Sequence, residues 1–152
     1  MSDLDKLDLN ILRHVQRDAS LSVDQLADAV HLSRNACWRR LRRLEADGVI
    51  TRKVALVNPD AVNLGLLVFV MIRALGHEPG WLAKFKSAIS SMPEIIGAHR
   101  MTGELDYVLR VRVRDVKAYD GFYQRLIAKV PIADLSASFV MEDIKDTTSL
   151  PL

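Results

Sequence analysis

Arg34, Arg39, Arg40, Arg42 and Arg43 put five guanidinium groups within ten residues, with no acid among them. A guanidinium is planar, permanently charged and able to bridge two acceptors, so such a cluster suits phosphate oxygens and the O6/N7 edge of guanine. It also suits a plain solvated helix face, and the charge run alone does not choose between the two. Other chemistry is harder to assemble. His14, His31, His77 and His99 are scattered, and no group of His, Cys and acids has metal-ligand spacing. There is no glycine-rich phosphate loop, and Cys37 is a lone cysteine, which leaves no internal disulfide framework. No catalytic residue, cofactor or metal is therefore expected. The second stretch with chemical potential is Met101-Thr102-Gly103-Glu104-Leu105-Asp106-Tyr107, in which two acids follow a glycine between apolar runs.

The arginine cluster needs a helix to organise it. Leu4, Leu7, Ile11, Leu12 and Val15 recur at helical spacing and predict a first helix over about residues 4–17. Ser22 with Gln25 three residues on forms a capping box for a second helix, about 23–30, burying Val23, Leu26, Ala27 and Val30. His31-Leu32 is a short connection to Ser33, a second N-cap, and a third helix runs from about Arg34 to Ala46 until Asp47-Gly48 stops it. On that helix Cys37, Leu41 and Leu44 face inward, so Cys37 is a packing thiol. Asn35, Trp38, Arg39 and Arg42 face outward with Arg43 at the edge, while Arg40 points away from that face. Two helices joined by a tight turn, the second basic and polar outside, make a helix-turn-helix. Its expected DNA-contacting set is Ser33, Arg34, Asn35, Trp38, Arg39, Arg42 and Arg43. Trp38 either touches DNA or covers the base of the first helix, and an arginine-faced protein-interaction module is the competing reading of the unit.

The β-branched run from Val49 to Val57 predicts a connecting strand that ends at Asn58-Pro59. Leu66–Arg73 is a strand, Trp81, Leu82, Phe85, Ala88, Ile89 and Met92 mark a helix, and Ile95–Met101 and Leu105–Val113 are strands joined at Thr102-Gly103-Glu104. Tyr119, Phe122, Tyr123, Leu126, Ile127 and Val130 mark a second helix, and Leu135–Ile144 a last strand. The fold class is thus α+β: a helix-turn-helix of winged type, then a βαββαβ, ferredoxin-like domain with a four-stranded antiparallel sheet. The domain boundaries read 1–50, a linker strand and connection over 51–65, and 66–152. Both helices of the second domain cover one face of the sheet, yet Leu66–Ile72 is apolar on both faces. A second copy of the chain is expected against the bare face, giving a homodimer suited to reading two half-sites of double-stranded DNA.

Composition agrees with two small globular domains: 152 residues, 49% hydrophobic and 26% charged. The net charge of +2 comes from residues 1–58, with ten Lys/Arg against eight Asp/Glu, because residues 59–152 carry eleven of each. No apolar run reaches membrane-spanning length, and Met1-Ser2-Asp3-Leu4-Asp5-Lys6 is polar with no signal core behind it. A cytoplasmic protein with no membrane partner is expected.

The run Leu21-Ser22, Gln25-Leu26-Ala27, Leu32-Ser33, Cys37-Trp38-Arg39-Arg40-Leu41-Arg42-Arg43-Leu44-Glu45 and Gly48-Val49-Ile50 resembles the Lrp/AsnC family, the leucine-responsive or feast/famine transcription regulators. Met101–Tyr107 is similar to that family's Thr/Ser-Gly-x-x-Asp-Tyr effector-loop signature. The resemblance implies bacterial, nucleoid-binding regulators whose dimers assemble into tetramers or octamers and bind free amino acids between subunits. Met101, Thr102, Gly103, Glu104, Asp106 and Tyr107 would then hold the effector. Asp106 or Glu104 would take its ammonium group, backbone N–H groups at Gly103 its carboxylate, and Met101 and Tyr107 would form apolar walls. Gly103 has a purely geometric role open to it as a turn residue, and Arg110 is the alternative partner for Asp106. Arg34-Asn35-Ala36 departs from the Pro-Thr-Pro found in many members, so the operator cannot be borrowed from them. Ser138-Phe139 and the Thr147–Leu152 tail look closest to a cysteine-responsive activator branch, with leucine- or methionine-like effectors as other guesses. A DNA-binding regulator with a ligand-free dimerisation scaffold and a small ferredoxin-like enzyme are the alternative functions.

Overall fold

The structure, a computed structural model, describes residues 4–76 and 78–152; the expectations for the Met1-Ser2-Asp3 start and for His77 lie outside them. The chain divides into two compact units, one running to Leu56 and taking in Lys145–Leu152, the other Val57–Ile144.

In the first unit α1 (Lys6–Val15), α2 (Val23–Ala29) and α3 (Arg34–Ala46) enclose Ile11, Leu26, Ala27, Val30, Cys37, Leu41 and Leu44. Each helix starts on a side-chain cap. Ser22 and Gln25 form the expected capping box and Ser33 Oγ accepts from the Ala36 N–H, while Asp5 and Asp8 form a second box at α1. His31 ends α2 at φ +55°, a left-handed conformation closed by Leu32 N–H to Ala27 O at 2.9 Å. Gly48, at φ +72°, ends α3 as the sequence predicts.

Val49 and Ile50 turn back onto this core, with Ile50 N–H bonded to Leu44 O. The strand expected over Val49–Val57 is not formed, and Val54, Leu56 and Val57 are exposed. An extended segment becomes a strand only by pairing its backbone, and no described segment of this chain lies alongside. By its contacts, the segment Lys145–Leu152 groups with the first unit. Gln16 clamps Leu150 at both polar groups of its backbone, Nε2 to O at 2.9 Å and Oε1 from N–H at 2.8 Å. Arg13 Nε reaches Leu152 O at 2.8 Å, so the tail groups with α1.

The second unit runs β1 (Leu66–Ala74), α4 (Pro79–Ser90), β2 (Ile95–Arg100), β3 (Tyr107–Val113), α5 (Val116–Lys129) and β4 (Ile132–Phe139), preceded by a 3-10 turn at Asp60–Val62. The sheet order is β2-β3-β1-β4 and every pairing is antiparallel, which is the predicted βαββαβ arrangement. Val68, Val70, Ile72, Leu109 and Val111 face α4 and α5 and pack on Trp81, Phe85, Phe122 and Leu126. Phe69 and Met71, alternating with them, are only half-buried. β4 starts and stops earlier than the expected Leu135–Ile144. Phe139 pairs with Val68 and Val140 N–H with Leu67 O, beyond which β1 offers nothing to pair with.

Candidate nucleic-acid interface and effector loop

The inward seam of α3, Cys37, Leu41 and Leu44, fixes which side chains face out. Asn35, Trp38, Arg39 and Arg42 are all exposed, with Trp38 at 49%. The Trp38 ring lies 5.9 Å beneath the Arg42 guanidinium, a cation–π contact. Arg42 also reaches Glu45 at 3.1 Å, and Glu45 is shared with Lys53 at 2.9 Å. The Lys53 and Arg42 bonds hold the Glu45 carboxyl below its ordinary pKa. Arg34 bonds to Asp24 on α2 at 2.9 Å, both well exposed. Ser33 spends its hydroxyl as the N-cap of α3. Among the described residues Arg39 makes no ion pair.

Arg43 departs from the sequence reading. Its Nη2 turns from the outer edge to Asp8 Oδ2 at 2.5 Å, while Arg40 Nη1 reaches Asp8 Oδ1 at 2.9 Å and Asp5 Oδ2 at 2.6 Å. Asp8 is fully buried, and it is a candidate site residue that the local sequence patterns leave out. The Asp8 N–H and Arg40 hold the Asp5 carboxyl below its ordinary pKa, and the bonds from Arg40 to the Asp5 and Asp8 carboxylates push Arg40 further up. The available signal was two acids three residues apart at the start of a helix, opposite two arginines three residues apart on another. Cys37 is buried as expected, and its surroundings push the thiol pKa up, which suits packing rather than reactivity.

The second candidate site is a six-residue loop, Met101–Asp106, wider than the three-residue turn expected. Met101 N–H to Asp106 O at 2.8 Å closes it, and Asp106 N–H to Ile72 O at 3.0 Å ties it to β1. Asp106 stands just outside β3, not inside it, and its Oδ2 accepts from the Ala74 N–H at 2.8 Å. Its carboxylate thus has a backbone role that a reading from strand patterning could not supply. Gly103 sits at φ +111°, a conformation that favours glycine, with no atom near the place a Cβ would take. Met101 and Glu104 are exposed and Thr102 stands beside them in the open. Tyr107, expected to line the effector site, points instead into the core. It is 7% exposed and its ring lies 4.5 Å from Phe85 and 5.8 Å from Trp81.

Comparison with known proteins places both units. Residues 4–51 match the winged helix-turn-helix DNA-binding model and residues 67–150 the Lrp/AsnC ligand binding domain. These two matches define a transcription regulator that joins a DNA-binding unit to a ligand-binding one. The chain is 48% identical to the DNA-binding transcriptional activator DecR of Escherichia coli K12, over 98% of this chain and 99% of that protein. The crystal structure of an AsnC family transcriptional regulator from Agrobacterium tumefaciens superposes with a TM-score of 0.94 at 50% identity, over 97% of each chain. A transcriptional regulator of Neisseria meningitidis in complex with L-methionine gives 0.94 at 35% identity, over 98% and 97%. The chain belongs to the Lrp/AsnC family of transcription regulators. No helix among its described residues is long and apolar enough to cross a membrane, and no cluster of three or more of their His, Cys, Asp and Glu side chains is arranged to hold a metal ion.

Proposed function

We propose that this regulator acts in the cytoplasm as a homodimer or higher assembly, reads paired half-sites through α3, and answers to a free amino acid. The observation that carries the DNA reading is the outward row Asn35, Trp38, Arg39 and Arg42, solvent-facing on a helix whose other side is fully packed. Asparagine and arginine at that spacing match the adenine N6/N7 and guanine O6/N7 edges of a major groove. Ser33 contributes as the cap that fixes the start of α3, its Oγ taking the Ala36 N–H, and Arg34 contributes from the first turn. For assembly, the half-buried Phe69 and Met71 on the uncovered sheet face supply the apolar surface that a second copy would bury.

In this reading the effector binds at Met101–Asp106, at a boundary between copies. Glu104 and Asp106 supply negative charge for an ammonium group, and the unobstructed Gly103 backbone supplies N–H groups for a carboxylate. A ligand that binds one assembly better than another shifts the oligomer and thereby DNA binding. The L-methionine complex of the Neisseria relative supports an amino acid as the class; cysteine and leucine- or methionine-like side chains are the candidates. A ligand-free dimerisation scaffold is the second reading, favoured by the burial of Tyr107, which removes one expected wall.

A thermal-shift screen of the twenty amino acids, followed by isothermal titration, separates the two. Gly103→Val is a poor probe because φ +111° strains any side chain there, and Asp106→Ala would orphan the Ala74 N–H. Glu104→Gln and Asp106→Asn keep the geometry and remove charge. Weakened titration in either, with DNA affinity in the absence of effector unchanged, is the expected result. No response of the wild-type protein to any amino acid would establish the scaffold reading.

A further inference from the structure

The five arginines of α3 are not equivalent, and a single residue on α1 sorts them. Asp8 has 0% exposure, yet each of its oxygens is bonded. Oδ1 accepts from Arg40, and Oδ2 accepts from Arg43 and from the Asp5 N–H at 3.1 Å. A buried carboxylate that loses one of its cations is left partly unpaired in the interior, which is far costlier than losing an exposed pair. Arg40 and Arg43 are therefore committed, and with Asp5 and Asp8 they form a cluster whose charges cancel. Arg34 pairs with the exposed Asp24 and Arg42 with the partly exposed Glu45, neither of them a fully buried charge, so a phosphate displaces them at less cost, and Arg39 has no ion pair among the described residues.

We propose that Asp8 is a specificity-determining residue: it withdraws Arg40 and Arg43 from the DNA backbone, so that binding depends on the outward row of α3. This rests on the reading that α3 enters the major groove. Phosphate contacts add affinity for any sequence, whereas base-edge contacts discriminate. By holding two guanidiniums on α1, Asp8 lowers affinity for all DNA while sparing the contacts that read bases. Asp8 touches no DNA in this scheme; it acts through the arginines it holds.

The test is the salt dependence of binding to two duplexes, one enriched from a random pool by the wild-type protein and one of shuffled sequence. Each cation engaged with a phosphate contributes about 0.9 to the slope of log K against log salt. Asp8→Asn keeps the side-chain shape. It is expected to tighten binding to the shuffled duplex several-fold, steepen its slope by about 1–2, and lower the ratio of specific to non-specific affinity. In the unaltered background Arg43→Gln is expected to leave the slope and the specific-to-non-specific ratio unchanged, whereas Arg39→Gln lowers that ratio roughly ten-fold or more. A loss from Arg43→Gln equal to that from Arg39→Gln overturns the proposal while leaving the α3 reading intact. So does a folded Asp8→Asn with unaltered slope and ratio. If Asp8→Asn fails to fold, the two glutamine variants decide. If Arg39→Gln and Arg42→Gln both leave DNA binding unchanged, the α3 reading itself fails and this inference falls with it.

Discussion

The outer face of α3 and the Met101–Asp106 loop are both exposed, and they differ in how much of their chemistry one chain completes. On α3 the side chains already hold one another: Trp38 against Arg42, Arg42 on Glu45, Arg40 and Arg43 on Asp8. A DNA duplex would meet a surface whose charges are sorted before it arrives. The loop is the reverse. Its backbone is tied down by Met101, Ile72 and Ala74, but Met101, Thr102 and Glu104 stand in the open and Tyr107 has gone to the core. Order in the main chain combined with solvent-exposed side chains is what the proposal of a site completed by another copy builds on, whereas α3 draws its partners from its own unit. The lesson concerns charge counting. Five arginines in ten residues are one pattern in a sequence and several different chemical situations in a fold.

The largest expected effect separates the two faces of β1. Val70→Asp places a charge at a fully buried position and should abolish cooperative folding, at a cost of about 3–5 kcal/mol. Met71→Asp, on the half-covered face, should leave circular dichroism nearly native while light scattering reports loss of the assembly. A native dimer from Met71→Asp would remove the argument that the loop is completed by a neighbour. Next in size, Arg39→Ala should cost about 1–3 kcal/mol of operator affinity if it bridges a base, and the loss from Arg43→Ala should be smaller. Equal losses, read by fluorescence anisotropy, would erase the distinction among the arginines.

A smaller effect concerns the turn that aims α3. His31 adopts φ +55°, so His31→Gly relieves left-handed strain at the price of a freer unfolded chain, a net gain of about 0.5–1 kcal/mol in denaturant melts. Destabilisation instead would mean the imidazole does more than occupy the turn. The smallest effect is the acid limb. The Asp5, Asp18 and Asp115 carboxyls all sit below the ordinary 3.8 in the folded chain, held by the Asp8, Ser20 and Ala118 hydrogen bonds among others. Groups depressed in this way stabilise above their unfolded pKa, and that contribution is lost as pH falls through the lower folded value. Thermal stability should therefore hold above about pH 4 and decline beneath it, with Asp5→Asn flattening part of the decline.

The helices of the first unit were legible because their signals are local. Ser22 with Gln25, Ser33 before Arg34 and Gly48 after Asp47 each act within one turn, and the bounds of α3 match the sequence reading. The sheet topology was legible because continuous apolar runs such as Leu66–Ile72 alternate with stretches at helical spacing such as Trp81–Met92. What escaped depends on partners distant in sequence. The end of β4 is set by where β1 runs out, the absence of a strand over Val49–Val57 by the lack of a neighbour, and the place of Tyr107 by Phe85 and Trp81. The Asp8 cluster joins residues 32 and 35 positions apart, so no window that sees Arg43 also sees the acid holding it. The outward row of α3 could be read from helical phase alone; the pairing of Arg43 could not.

The return of the tail to α1 makes the first unit a discontinuous one, written in two pieces with the second unit inserted between them. An expression fragment that stops at Leu56 would therefore present α1 with Arg13 and Gln16 stripped of their Leu152 and Leu150 partners. A proteolytic nick in the exposed stretch 51–57 would not free that unit cleanly either, since its last segment stays joined to the other fragment and would have to be peeled from α1 first. Excising the DNA-binding half of this chain means making two cuts and a splice.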